Sequence, residues 1–110
     1  MSLFLFDTLQ EEQLEEIAFL AKSLSDVNRL RILLALQKGS TSVSVLVEDL
    51  ELSQPLVPHH LRELRRALLV SVKRKGPFVY YSLRDERVVA RMNDLLQLAE
   101  GLLARKKGFG

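Results

Sequence analysis

No cysteine occurs anywhere in the 110 residues. That absence removes disulfides, thiolate metal sites, thiol redox sensing and cysteine nucleophiles together. Histidine is nearly as scarce, and the two present, His59 and His60, are neighbours. Adjacent side chains on a helix point about 100° apart, so the pair does not chelate one metal, and a zinc site would need carboxylates brought in from elsewhere. There is no run of eighteen apolar residues, which leaves no candidate membrane-spanning helix. The segment Met1 to Asp7 lacks a basic n-region and a cleavage pattern, so it does not read as a secretory signal and the expected compartment is the cytoplasm. Enzyme signatures are missing too. No serine or cysteine nucleophile motif, glycine-rich phosphate loop or carboxylate pair with a local histidine is present, so neither catalysis nor a cofactor is expected.

The first twenty residues contain no base, and their charge comes from Asp7, Glu11, Glu12, Glu15 and Glu16. Residues 59–75 are the opposite, with Arg62, Arg65, Arg66, Lys73, Arg74 and Lys75 set against Glu63 alone. The formal net charge is only +2, so it is this clustering that suits a polyanion. Length allows one domain, and 47% apolar residues supply a real but small core, of the kind that gains from a partner surface. No internal repeat or low-complexity segment divides the chain, so residues 1–110 read as a single domain.

Apolar residues recur at helical spacing in Leu14, Ile17, Leu20/Ala21 and Leu24, and again in Val27, Leu30, Leu33/Leu34 and Leu36. Helices are expected over about 10–23 and 26–37, with Ser25 or Asp26 capping the second and Lys38-Gly39 stopping it. Thr41-Ser42-Val43 reads as a short extended piece, and a short helix follows near 44–50. Ser53 is the expected cap of a further helix, about 54–68, with Pro55 at its second position. In that helix Val57, Leu61, Leu64 and Leu68 form the buried stripe, while Pro55, His59, Arg62 and Arg66 centre on the opposite side. His60 falls on the flank. A basic amphipathic helix reached from a short helix across a tight connection is a helix-turn-helix, here about 44–68.

Leu69 to Lys73 and Phe78 to Leu83 are β-prone, and Arg74-Lys75-Gly76-Pro77 between them is a basic turn, so 69–83 reads as a β-hairpin wing. A last helix of about 85–106 carries Val88, Met92, Leu95, Ala99 and Leu102, with Leu96 and Leu103 on an adjacent seam. A stripe this wide exceeds what a small domain covers, which points to a homodimer through the first and last helices, with Leu14 and Ile17 joining from the first. The expected fold is mainly α with a small β-hairpin, in the order α-α-α-α-β-β-α: a winged helix-turn-helix.

Three ordered segments carry a family resemblance. "LAKSLSDVNRLRILLAL" (20–36), "LELSQPLVPHHLRELRRALLV" (50–70) and "VKRKGPFVYYSL" (72–83) resemble the first helices, the helix-turn-helix and the wing of the ArsR/SmtB repressors. The resemblance implies a homodimer that binds an imperfect inverted repeat in double-stranded DNA and represses transcription, with an inducer that lowers DNA affinity. It also places DNA contacts at Ser53, Gln54, Pro55, Pro58, His59, His60, Arg62 and Arg66, and at Lys73, Arg74 and Lys75 of the wing. Gln54 can read adenine through its amide, and the cationic groups hold phosphates. For His60 a structural hydrogen-bonding role is the alternative.

Pro58 departs from the family, which usually carries serine there. Proline removes the hydroxyl, and as the fifth residue of a regular helix it costs about 3 kcal/mol. The first turn is therefore expected to be distorted, or to start later. The family's metal positions are also unfilled. The helix before the recognition helix, "SVLVEDL" (44–50), has no cysteine, and the last-helix set maps onto Asp85, Arg87, Leu98 and Gly101, of which only the first is a ligand. No metal is expected at these sites, which leaves an organic effector, a partner protein or no effector at all. The competing function is a winged-helix interaction module that binds protein or DNA without promoter specificity.

Overall fold

The computed structural model describes residues 9–109, with side chains as far as Arg105. The segment read for a secretory signal, including Asp7, lies outside the described residues. Among the described residues five helices and one hairpin follow the expected order: α1 (Glu11–Ser23), α2 (Val27–Leu36), α3 (Val43–Leu50), α4 (Leu56–Arg66), β1 (Val70–Lys75), β2 (Phe78–Leu83) and α5 (Arg87–Phe109).

The core is Ile32, Leu33 and Leu36 of α2, Leu46 of α3, Val57, Leu61 and Leu64 of α4, and Leu69 and Val70 at the foot of the hairpin. The α2 stripe is rotated from the expected one. Val27 is 64% and Leu34 47% exposed, because α2 turns its Ile32–Leu33–Leu36 side inward. Asp26 caps this helix through Oδ1, which accepts from the amides of Asn28 at 2.8 Å and Arg29 at 3.2 Å. The extended piece at Thr41 is present as a single antiparallel bridge to β2, with Thr41 N–H to Tyr81 carbonyl at 3.0 Å and the return bond at 2.7 Å.

β1 and β2 pair from Val70↔Leu83 to Lys75↔Phe78, so the hairpin loop is Gly76-Pro77 and Arg74 and Lys75 are strand residues rather than turn residues. Gly76 has φ +61°, and proline at the second loop position cannot take positive φ. That combination fits a type II′ turn, which needs glycine first and whose twist matches the strands.

The first and last helices stand away from this core. Val88 and Met92, expected at a dimer interface, instead pack in part against their own core. Beyond them α5 is exposed, with Leu95, Leu96, Leu98, Leu102 and Leu103 at 51–57%. Leu14 and Ile17 of α1 are 46% and 54% exposed. The Cα radius of gyration is 17.1 Å, well above the roughly 13 Å of a globule this long. An open apolar groove of about 610 Å³ lies between α5 and the start of α2, lined by Leu24, Leu30, Leu34, Met92, Leu95 and Leu96 among others. No described helix is long and apolar enough to cross a membrane.

Candidate nucleic-acid interface

α4 begins two residues later than its expected start. Ser53 contributes its carbonyl rather than its hydroxyl, accepting the amides of Leu56 at 3.1 Å and Val57 at 3.2 Å, and Pro55 is the N-cap. Pro58 is then the third helical residue. The Val57 amide already reaches four residues back to Ser53, and Pro55 is already in the right-handed helical region, so the amide that Pro58 lacks is the one that would have met the Gln54 carbonyl. The later start is one of the two outcomes expected from Pro58, and the lost bond falls in the exposed first turn.

α4 has two clearly different sides. Val57, His60, Leu61 and Leu64 are buried, while Pro58, His59, Arg62, Arg65 and Arg66 are exposed. Ser53, Gln54 and Pro55 are exposed just ahead of it, and Lys73, Arg74 and Lys75 are exposed on the adjoining strand. Arg66 Nη1 pairs with Glu63 at 3.2 Å, and Lys75 Nζ stands 5.9 Å from the Tyr80 ring centre. Among the described residues Arg62, Arg65, Lys73 and Arg74 make no ion pair, so their charge is available to an anion.

His60 is a correction. At 6% exposure it belongs to the back of α4 and cannot meet a groove. Its Nδ1 accepts from Nε of Arg29 at 3.3 Å, and its Nε2 lies 3.8 Å from Asp26 Oδ1. Burial is the main influence that holds its pKa below the usual imidazole value, against the pull of Asp26 and with the help of the Arg29 and His59 charges. At Asp26 partial burial pushes the carboxyl up. The amides of Arg29 and Asn28 and the charges of His60 and Arg29 outweigh it and hold the group low. Arg29 was not singled out from the sequence. Its position three residues into α2 gave no sign that its side chain turns toward α4.

Leu68 is the second correction. Its spacing fits the buried stripe, but it is 63% exposed, because the chain turns left-handed there (φ +61°) and Leu69 takes the core position. The metal positions can also be compared. Asp85 accepts Nε and Nη2 of Arg87 at 3.1 and 2.7 Å and the Arg87 amide at 2.9 Å. The Arg87 guanidinium thus occupies the carboxylate, and α5 starts at Arg87 with Asp85 ahead of it. No three His, Cys, Asp or Glu side chains among the described residues stand close enough to hold a metal ion.

Residues 26–72 match a family model described as bacterial regulatory protein, arsR family. The arsenical resistance operon repressor of Bacillus subtilis (strain 168) is 37% identical over 105 residues, which are 94% of this chain and 96% of that protein. HlyU of Vibrio cholerae, a transcriptional activator, has a solved structure that superposes with a TM-score of 0.70 at 34% identity, covering 81% of this chain and 97% of that one. A homodimeric winged helix-turn-helix DNA-binding domain from Mycobacterium bovis, solved in solution, superposes with a TM-score of 0.67 at 28% identity, covering 80% and 81%.

Proposed function

The chain belongs to the arsR family of bacterial regulatory proteins, and from that membership we propose that it is a homodimeric transcriptional repressor that binds an inverted repeat in double-stranded DNA. The observation that carries this reading is the division of α4 into an apolar back and an exposed side bearing His59, Arg62, Arg65 and Arg66. A helix of this kind fits the major groove, while a neighbouring hairpin follows the backbone.

In this reading Gln54 and His59 reach base edges from the start of α4. Arg62 and Arg66 hold phosphates along the helix, and Lys73, Arg74 and Lys75 do so from β1. Ser53, Pro55 and Pro58 shape the entrance without supplying charge. The half-exposed leucines of α1 and α5 would be covered by a second copy. Two recognition helices then meet half-sites about one DNA turn, roughly 34 Å, apart. The chain works as one domain in the cytoplasm, without catalysis. Its effector is an organic molecule or a protein rather than a metal at the Asp85 and Arg87 positions.

Fluorescence anisotropy against duplex DNA from upstream of the protein's own gene tests this. Specific binding should exceed binding to random duplex by at least about a thousandfold, with a log–log salt slope near −0.9 per phosphate contact. Replacing Arg74 by alanine should weaken both kinds of binding and reduce the slope by about 1, whereas Gln54→Ala should mainly relax sequence preference. Equal affinity for random duplex would favour a non-specific interaction module instead.

A further inference from the structure

Among the described residues, α4 makes one side-chain hydrogen bond to another element, the bond from Arg29 Nε to His60 Nδ1 at 3.3 Å. The same guanidinium sends Nη1 to the carbonyls of Ser23 at 3.3 Å and Lys22 at 3.4 Å, in the last turn of α1. One arginine therefore joins the end of the helix that carries the exposed leucine face to the back of the helix that carries the exposed basic face.

The chemistry of the pair fixes its protonation state. Arginine has only donors, so the bond exists only while Nδ1 of His60 is bare. The ring proton then belongs on Nε2, which points toward Asp26 Oδ1 at 3.8 Å. A protonated ring would set N–H against N–H and one positive charge against another. Its nearest acceptor is the Asp26 carboxylate, which faces Nε2 rather than the nitrogen that faces Arg29. The other charged groups nearby are His59, which is adjacent in sequence, and Lys22, Glu63 and Arg66, which line the cleft beside Arg29.

We propose that Arg29 and His60 are a proton-sensitive positioning pair: with His60 neutral they hold α4 against the end of α1 in its DNA-reading orientation, and protonation of His60 releases that hold. The inference rests on the DNA-binding function proposed above. Release moves the residues on the same turn, His59 and Arg62, relative to the rest of the dimer.

The test compares wild-type protein with His60→Asn, whose side-chain oxygen can occupy the Nδ1 position and accept from Arg29 at any pH. Anisotropy with the upstream duplex is measured at fixed salt from pH 7.5 down to 4.5, each protein against its own value at pH 7.5. Once the His60 ring is protonated, wild type should weaken about fivefold relative to His60→Asn, the worth of one ordinary hydrogen bond. Parallel profiles overturn the inference and leave the DNA-binding function standing. If wild type shows no preference for the upstream duplex at pH 7.5, both fall. Nitrogen NMR of the wild-type His60 ring gives a readout that needs neither DNA nor a folded variant. A bare Nδ1 with the proton on Nε2 at pH 7.5 supports the pair, and a proton on Nδ1 overturns it.

Discussion

The amide of Leu69 donates to the carbonyl of Leu64 at 2.9 Å, closing the end of the recognition helix. With the amide of Leu68 bonded to the Arg65 carbonyl at 2.9 Å, this is a Schellman motif. It places Leu68 in the left-handed conformation at φ +61°, where glycine is the usual residue. Leucine pays about 1–2 kcal/mol there, and at 63% exposure its side chain recovers little by packing. Leu68→Gly should therefore raise stability by about 1 kcal/mol in urea denaturation at constant m-value. A lower midpoint would mean that the side chain makes a contact, for instance in the dimer, that outweighs the backbone strain.

Pro58 offers a second stability test. As the third residue of α4 it lacks the amide that would have met the Gln54 carbonyl, but that carbonyl belongs to an exposed first turn where water can serve it. Pro58→Ser should change stability by less than about 1 kcal/mol, not recover the roughly 3 kcal/mol that an interior proline costs. A gain near the larger figure would place the true start of the helix earlier.

The exposed leucines of α5 predict the assembly state. Leu95 and Leu102 are 54% and 51% exposed, and each would gain about 1–2 kcal/mol from full burial against a second copy. Leu95→Glu with Leu102→Glu should give a folded monomer by sedimentation velocity, with unchanged helicity at α4 but much weaker binding to an inverted repeat. A wild-type protein that sediments as a monomer at micromolar concentration would contradict the dimer.

Asp85 predicts an acid titration. The Arg87 side-chain hydrogen bonds, then the Arg87 amide and charge, hold its pKa at about 2 against an ordinary 3.8. The folded value lies below the unfolded one, so the contribution of the pair to stability is present above 3.8 and is lost as pH falls toward about 2. Carboxyl carbon NMR should show a midpoint near 2, and Arg87→Ala should move it up toward the ordinary range but not all the way, because the residue-87 amide still donates to the carboxylate. An unshifted midpoint in wild type would mean that the pair is not formed in solution.

Much of the fold was legible before any coordinates because its signals are local. The period of apolar residues in α1, α3 and α4 marks helices, and Asp26 marks a cap because a short carboxylate reaches the amides two and three residues ahead. Gly76-Pro77 marks the hairpin because only glycine takes the first loop position at no steric cost. The less legible features depend on geometry between elements. Leu68 fits the stripe of α4 by spacing alone, and only the early end of the helix at Arg66 turns it outward. Val88 and Met92 sit on the apolar stripe of α5, yet they face their own core because that end of the helix packs back against it.

Pro58 connects the two kinds of information. The sequence alone determined that the recognition segment is amphipathic and basic on one side, and that a proline near its start needs a first turn to occupy. Those properties follow from residue spacing, charge and a missing amide. Tertiary structure decided which turn that is, by letting the Ser53 carbonyl close it so that α4 starts at Leu56. It also decided which histidine turns inward, since His60 faces Arg29 and Asp26 only once α2 and α4 pack together. Spacing limits a side chain to one side of a helix, and the packing partner then sets its chemical role.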